Sequence, residues 1–162
     1  MPTTAANSKT AILFVCLGNI CRSPLAEGVF RHVVETSGKS DKFQIDSAAT
    51  GSWHIGNPPD ARMIETANHH GTDISAQRCR QISPDDFYTF DLIICMDHSN
   101  VRNVEAIMPN DADAKIVMFM DYALGQNIEV PDPYYMEAAD GFEQVYQMVF
   151  RASNALLAKL NG

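Results

Sequence analysis

The chain alternates between short apolar runs and longer stretches in which apolar residues recur at helical spacing. Apolar residues dominate four runs, at 10–16, 43–49, 91–96 and 114–120. The first run is continuous, which is typical of a parallel strand that is covered on both faces. We therefore interpret the four runs as strands of one sheet.

Helical spacing predicts what lies between and after these runs. The longer helices are predicted at 23–38, 60–70, 97–107 and 139–160. A short helix is expected to start in 83–87, with Ser83 as its cap and Pro84 in its first turn. Residues 121–135 are predicted to form a long loop.

This order of elements favours an α/β fold with an open four-stranded parallel sheet, doubly wound, with helices on both faces. Residues 1–9 are expected to be a disordered N-terminal tail, and 10–162 a single domain. In such folds the ligand site lies beyond the carboxyl ends of the strands. Cys16 ends the first strand and therefore falls at this edge.

The chemistry that this edge can perform is indicated by the loop after the first strand. Free N–H groups of a tight loop and the start of the next helix favour an anion there. Cys16 supplies a nucleophile, and Arg22 supplies a planar fork for two oxygens of one tetrahedral oxyanion. Ser23 is placed to hydrogen-bond the sulfur of Cys16. We expect a site for a phosphoryl group.

A proton donor for the leaving group is predicted far away in the sequence. Asp132 lies between two prolines, which stiffen the backbone around its carboxyl group. Tyr134 and Tyr135 follow it, and Trp53 lies in a Gly/Ser-rich loop after the second strand. These three aromatic side chains are candidate walls for a substrate that carries a phenyl ring.

Composition narrows the classes of partner. A formal net charge of -8 argues against binding to nucleic acid or to an anionic membrane surface, because both require a basic face. No apolar stretch approaches the roughly 20 residues that a membrane span needs. Four cysteines are too few for a disulfide scaffold. We expect a cytoplasmic protein with reduced thiols.

Two segments resemble a known family. Residues 15–24 read VCLGNICRSP and residues 132–135 read DPYY. Together with matching stretches across about 10–160, they resemble the low-molecular-weight protein tyrosine phosphatase family. The resemblance implies the phosphotyrosine protein phosphatase I-like fold and hydrolysis of phosphotyrosine or aryl phosphate monoesters. It also implies release of inorganic phosphate without a metal or organic cofactor.

The resemblance further implies roles for individual residues. Cys16 would form a cysteinyl-phosphate, Arg22 would clamp the phosphate, and Asp132 would act as general acid and then as base. Cys21 would be the partner with which Cys16 forms a reversible disulfide. The implied phosphate-binding loop is Leu17, Gly18, Asn19, Ile20, Cys21, Arg22 and Ser23. The implied hydrogen-bond network that supports this loop is Asn19, Ser23, Ser47 and His70.

Two other functions are alternatives. Arsenate reduction on the same fold needs two further cysteines close in sequence, whereas Cys79 and Cys95 are far apart and Cys95 lies in a predicted strand. A module that only binds phosphotyrosine would need neither the thiol nor the acid. Both are therefore less favoured than hydrolysis. We expect a monomer, with weak dimerisation as the alternative, acting on a tyrosine-phosphorylated protein or a small aryl phosphate.

Overall fold

The computed structural model describes residues 9–133, 136 and 140–161. Four parallel strands form one sheet in the order β2-β1-β3-β4. They are β1 (Thr10–Cys16), β2 (Phe43–Ala49), β3 (Leu92–Cys95) and β4 (Lys115–Met118). The predicted open, four-stranded parallel sheet is confirmed.

Six α-helices accompany the sheet in the described part of the chain. They are α1 (Arg22–Thr36), α2 (Ala61–His69), α3 (Asp86–Thr89), α4 (His98–Glu105), α5 (Phe119–Leu124) and α6 (Gly141–Asn161). A 3-10 turn at Ser40–Lys42 precedes β2.

Both faces of the sheet are buried, and β1 shows why. Ile12 and Phe14 point into one core, which contains residues of α1, α2, α5 and α6. Leu13 and Val15 point into a second core, which contains Phe87 and Val104 from α3 and α4. Side chains of a strand alternate between faces, so a strand that is apolar throughout must be covered twice. This arrangement confirms the doubly wound prediction.

The site is positioned by the order of the strands. β1 lies between β2 and β3, so the chain leaves its carboxyl end at the point where the strand order reverses. Cys16 is the last residue of β1, and its Cα is paired with that of Ala49 at the end of β2. The loop after Cys16 therefore opens into the crevice between two neighbouring connections.

The prediction for the region after β4 is wrong in two respects. The strand ends at Met118 rather than at residue 120. The helix α5, Phe119–Leu124, replaces the last two residues of the predicted strand and the first four of the predicted loop. Phe119 and Met120 are buried in the first core. A short apolar run fits a buried strand and a buried helix turn equally well, so the pattern did not separate them. Gly125, in a left-handed conformation with φ 68°, ends α5.

The start of α3 also differs from the prediction. The helix begins at Asp86, and Ser83 does not cap it through its side chain. Instead the backbone N–H of Ser83 donates a hydrogen bond of 2.9 Å to Asp86 Oδ2. The acceptor is thus a carboxylate that lies within the helix. Two hydrogen bonds from Arg80 hold this carboxylate in place. Before α4, in contrast, Asp97 is the cap, since its side chain accepts from the N–H of Asn100.

Candidate active site

Cys16 lies at the floor of the crevice with 3% of its surface exposed. Its Sγ is 3.1 Å from Ser23 Oγ, at the start of α1. The backbone N–H of Asn19 donates to the same sulfur over 3.3 Å. A backbone N–H of the loop and a hydroxyl of the helix therefore both lie within hydrogen-bond distance of one sulfur, as expected from the spacing of Cys16 and Ser23.

Asn19 shapes the loop between β1 and α1. Its φ of 55° lies in the left-handed region, which asparagine tolerates better than most residues. Its Nδ2 donates to Ser23 Oγ over 2.7 Å and to Ser47 Oγ over 3.1 Å. Its Oδ1 accepts from the backbone N–H of Arg80 over 3.1 Å. The structure thus brings together three of the four residues predicted as the supporting network.

His70, the fourth member, lies elsewhere. It follows the last residue of α2, and its Nε2 donates to Glu143 Oε1 of α6 over 2.8 Å. Its ring stacks on Tyr146 with 3.8 Å between ring centroids. None of its described hydrogen bonds reaches Asn19, Ser23 or Ser47. The physical reason is that the end of α2 abuts α6 rather than the loop.

Glu27 is a network residue that sequence reasoning missed. Ser47 Oγ donates to Glu27 Oε1 over 2.6 Å, and Arg31 Nη1 donates to Glu27 Oε2 over 2.8 Å. Glu27 is buried on α1. A buried carboxylate is tolerated only when its oxygens are satisfied, and here both of them are. A signal existed in the sequence, because a glutamate with an arginine four residues later interrupts the apolar face of a buried helix.

Arg22 is held in a fixed orientation. Its side chain is 4% exposed, and its Nη1 donates to Asp97 Oδ2 over 2.7 Å and to the carbonyl of Val130 over 3.0 Å. Burial by itself lowers the pKa of this guanidinium, but the charges of Cys16, Asp97 and Asp132 raise it above its usual value. Arg22 therefore stays cationic in the crevice. Asp97 is a second residue without a predicted role at the site.

Asp132 faces Arg22 across the crevice. Its Oδ2 lies 3.6 Å from Arg22 Nη2, and 24% of its side chain is exposed. The carboxyl group is therefore close to the anion site but in contact with solvent. This position suits a group that exchanges protons.

One cavity of about 380 Å³ joins these groups. Trp53, predicted as a wall, lies on its rim with 68% of its surface exposed. The other two predicted walls, Tyr134 and Tyr135, lie outside the described residues. His54, which received no role from the sequence, is also part of the lining. The lining consists of Cys16, Leu17, Gly18, Ile20, Cys21, Arg22, Trp53, His54 and Asp132.

The other three cysteines are buried thiols. Burial raises the pKa of Cys21, and the charges of Asp60, Cys16 and Asp132 raise it further. Cys79 donates from Sγ to the carbonyl of Gly18 over 3.2 Å. Cys95 lies in β3 with no exposed surface, and burial raises its pKa. Cys79 and Cys95 are thus fixed in packed surroundings, which does not suit a mobile disulfide relay.

Comparison with known proteins gives a consistent result. Residues 11–162 match the model of the family described as low molecular weight phosphotyrosine protein phosphatase. A protein of that name from Sus scrofa is 44% identical, and the match covers 93% of this chain and 95% of the relative. One from Schizosaccharomyces pombe is 46% identical, with 90% and 94% covered. The crystal structure of YfkJ from Bacillus subtilis is 38% identical with a TM-score of 0.87, covering 95% of this chain and 96% of that one.

Proposed function

Because the chain belongs to the low molecular weight phosphotyrosine protein phosphatase family, whose members hydrolyse phosphotyrosine, we propose that Cys16, Arg22 and Asp132 form its catalytic centre. One observation carries this assignment: a single cavity is lined by a buried thiol, a buried guanidinium and a partly exposed carboxyl group. These are the nucleophile, the phosphate clamp and the proton donor that the reaction requires.

In the first step, the thiolate of Cys16 attacks phosphorus and the bond from phosphorus to the phenolic oxygen breaks. Asp132 gives its proton to that oxygen, so tyrosine leaves as the neutral phenol. Ser23 Oγ, 3.1 Å from the sulfur, stabilises the thiolate before attack. The products of this step are the phenol, the cysteinyl-phosphate and the carboxylate of Asp132.

In the second step, water attacks the phosphorus of the cysteinyl-phosphate. The carboxylate of Asp132 takes a proton from this water, and Cys16 leaves as a thiolate. Ser23 again stabilises the sulfur, now as a leaving group. Inorganic phosphate is released, and the enzyme returns to its starting protonation state.

Arg22 binds the equatorial oxygens of the phosphoryl group in both steps. Its Nη1 is occupied by Asp97 and Val130, which fixes the plane of the guanidinium. Nε and Nη2 are the donors that we assign to phosphate. A lysine would bring the charge without this planar fork.

The surroundings of the centre complete the proposal. Trp53, Tyr134 and Tyr135 are proposed as substrate walls, and Cys21 as the redox partner of Cys16. The substrate is a tyrosine-phosphorylated protein or a small aryl phosphate, and the enzyme acts as a monomer.

Since the nucleophile is a thiol, the reaction requires a reducing compartment, and we propose the cytoplasm. No helix in the described ranges combines the length and the apolar character that a membrane crossing requires.

Rapid-mixing kinetics with p-nitrophenyl phosphate, and with aryl phosphates that have poorer leaving groups, test this assignment. The wild type should release a burst of nitrophenol equal to one turnover, followed by a slower steady state. Cys16→Ser should abolish turnover. Asp132→Asn should slow the burst by about 10²–10⁴-fold for poor leaving groups and much less for good ones. Asp113→Asn, which changes an exposed loop carboxylate, is the matched control. Substantial turnover by Cys16→Ser, or a loss in Asp132→Asn that ignores the leaving group, would contradict the assignment.

A further inference from the structure

Gly51 follows β2 and is tied to the phosphate-binding loop through its backbone. Its N–H donates to the carbonyl of Leu17 over 3.0 Å. The preceding N–H, of Thr50, donates to the carbonyl of Cys16 over 3.0 Å. The position of Gly51 is therefore fixed relative to the nucleophile.

The indole of Trp53 occupies the space next to Gly51 that a side chain would need. A β-carbon at position 51 would lie 1.8 Å from Trp53 Cζ3, 2.3 Å from Cε3 and 2.7 Å from Cη2. Contacts this short do not occur, so any other residue at 51 must displace the ring. The six-membered ring of Trp53 thus lies directly over Gly51.

Conformation alone does not require a glycine at this position. Among the described residues, positive φ at glycine occurs at Gly38, Gly56, Gly71 and Gly125, and not at Gly51. An alanine at 51 would therefore fit the backbone. Because Trp53 is 68% exposed, its ring could swing into water without disturbing the core. A side chain at 51 would therefore displace the indole of Trp53 without destabilising the fold.

We propose that Gly51 is a positioning residue for substrate specificity. Because Gly51 has no β-carbon, the indole of Trp53 lies against it as a preformed wall beside the phosphate-binding loop. This wall favours aryl over acyl phosphates. This inference rests on the proposed function, in particular on Cys16 as the nucleophile. The wall contacts the leaving group, so it acts on the first step only. By the second step the phenol has left, and the indole has nothing to contact.

The test compares Gly51→Ala, Trp53→Ala and the double variant on phenyl phosphate and acetyl phosphate. Each single substitution should lower kcat/KM for phenyl phosphate by about three- to tenfold, the size expected for an aromatic contact. The double variant should lose no more than either single one. Where breakdown of the cysteinyl-phosphate limits turnover, kcat should stay unchanged. Acetyl phosphate has no ring, so its kcat/KM should not change.

A second readout does not depend on activity. Trp53 is the only tryptophan of the chain, so its fluorescence reports the position of this ring alone. Gly51→Ala should make the emission easier to quench with acrylamide, while the midpoint of thermal unfolding stays at the wild-type value. Ser52→Ala adds no β-carbon and is the matched control in the same loop. Gly51→Ser adds one and should behave like Gly51→Ala.

The outcomes separate this inference from the function on which it rests. If the wild type hydrolyses neither phosphate, the proposed function fails and the specificity role falls with it. If the wild type is active and Gly51→Ala changes neither quenching nor kcat/KM for phenyl phosphate, the inference alone is overturned. The inference is also overturned if Gly51→Ala lowers kcat/KM equally for both substrates. It is likewise overturned if Gly51→Ala lowers kcat/KM for phenyl phosphate as much in the Trp53→Ala background as in the wild type.

Discussion

Asp97 serves two elements at once through its two carboxylate oxygens. Oδ1 accepts from the backbone N–H of Asn100 over 2.8 Å and caps α4. Oδ2 accepts from Arg22 Nη1 over 2.7 Å and helps to fix the guanidinium. The orientation of Arg22, the proposed phosphate clamp, thus depends on a helix cap. A cap is rigid because its backbone donors cannot move without unwinding the first turn.

Cys21 is the second residue whose surroundings lead to a prediction. Its raised pKa keeps it a thiol at neutral pH, so peroxide should oxidise Cys16 first. The Cys16 thiolate and peroxide give a sulfenic acid and hydroxide. The Cys21 thiol then condenses with this sulfenic acid to a disulfide and water. Oxidation also removes the charge of Cys16, one of the causes that hold the Cys21 pKa high.

We therefore predict that dithiothreitol restores activity after mild peroxide treatment of the wild type. Cys21→Ser should be inactivated as well but should recover progressively less with longer exposure, because its sulfenic acid is oxidised further. Cys79→Ser is the control, since a hydroxyl can still donate to the carbonyl of Gly18. Activity and the mass of the Cys16 peptide provide the measurements. Equal recovery of activity in Cys21→Ser and in the wild type would contradict the role of Cys21 as redox partner of Cys16.

At the scale of residues, spacing alone predicts only contacts between residues that are close along the chain. The distant residue Ser47 was predicted from the family resemblance, and Asp132 from the prolines on either side of it. Cys16, Asn19 and Ser23 come together in space as expected, because a strand, a tight loop and a helix fix their short spacing. Glu27 and Asp97 were missed since their partners, Ser47 and Arg22, depend on which strands are neighbours. His70 fails for the same reason, because its location depends on how α2 packs against α6.

Elements show the same division between local and tertiary information. The bounds of β1 and β2 agree with the apolar runs at 10–16 and 43–49. β1 is buried along nearly its whole length, whereas β2, at the edge of the sheet, exposes Gln44. α5 was not predicted, because burial of Phe119 and Met120 in the first core is a tertiary fact.

The segment 79–82 shows how a short irregular stretch organises the site. Backbone bonds join it to the end of β2, with Ala49 donating to Arg80 and Ile82 donating to Ala49. The Arg80 side chain bridges Asp46 and Asp86 at 3.0 Å each. The backbone N–H of Arg80 donates to Asn19 Oδ1. This one segment therefore ties the phosphate-binding loop to β2 and α3.

The contact between α2 and α6 gives a prediction at the scale of elements. Hydrogen bonds from Gln147 and His70 lower the pKa of Glu143 below its usual value. A carboxyl with a lowered pKa in the folded state stabilises the fold above its unfolded pKa, and this stability is lost as pH falls through the folded value. The side chain of Glu143 is 43% exposed, so solvent screens the effect to less than about 1 kcal/mol.

Glu143→Gln should accordingly lower the free energy of unfolding slightly at pH 7. The difference from the wild type should shrink as the pH falls below the usual glutamate value of 4.5. Urea unfolding at several pH values measures it. Glu35→Gln, at an exposed position of α1, is the control and should show no such trend. A difference that grows towards low pH would contradict this account.

The whole molecule has a charge opposite to what its site requires. The net charge is -8, yet the cavity is proposed to hold a phosphate dianion. Attraction must therefore be local, from loop N–H groups and Arg22. The residues that fix this centre come from β1, α1, β2, the 79–82 segment, the end of β3 and the stretch after α5. Binding of an anion there should stabilise all of these parts together.

Inorganic phosphate should consequently raise the midpoint of thermal unfolding of the whole domain. At a hundredfold excess over Kd the gain is about 2.7 kcal/mol, which corresponds to roughly 5–10 °C for a domain of this size. Arg22→Lys should lose most of this shift because the planar fork is gone. Asp132→Asn should increase it, since its carboxylate, 3.6 Å from Arg22 Nη2, competes with phosphate for the guanidinium and repels the dianion. Differential scanning fluorimetry against sodium chloride of equal ionic strength measures these shifts. A shift that Arg22→Lys leaves intact would mean that phosphate binds outside this cavity.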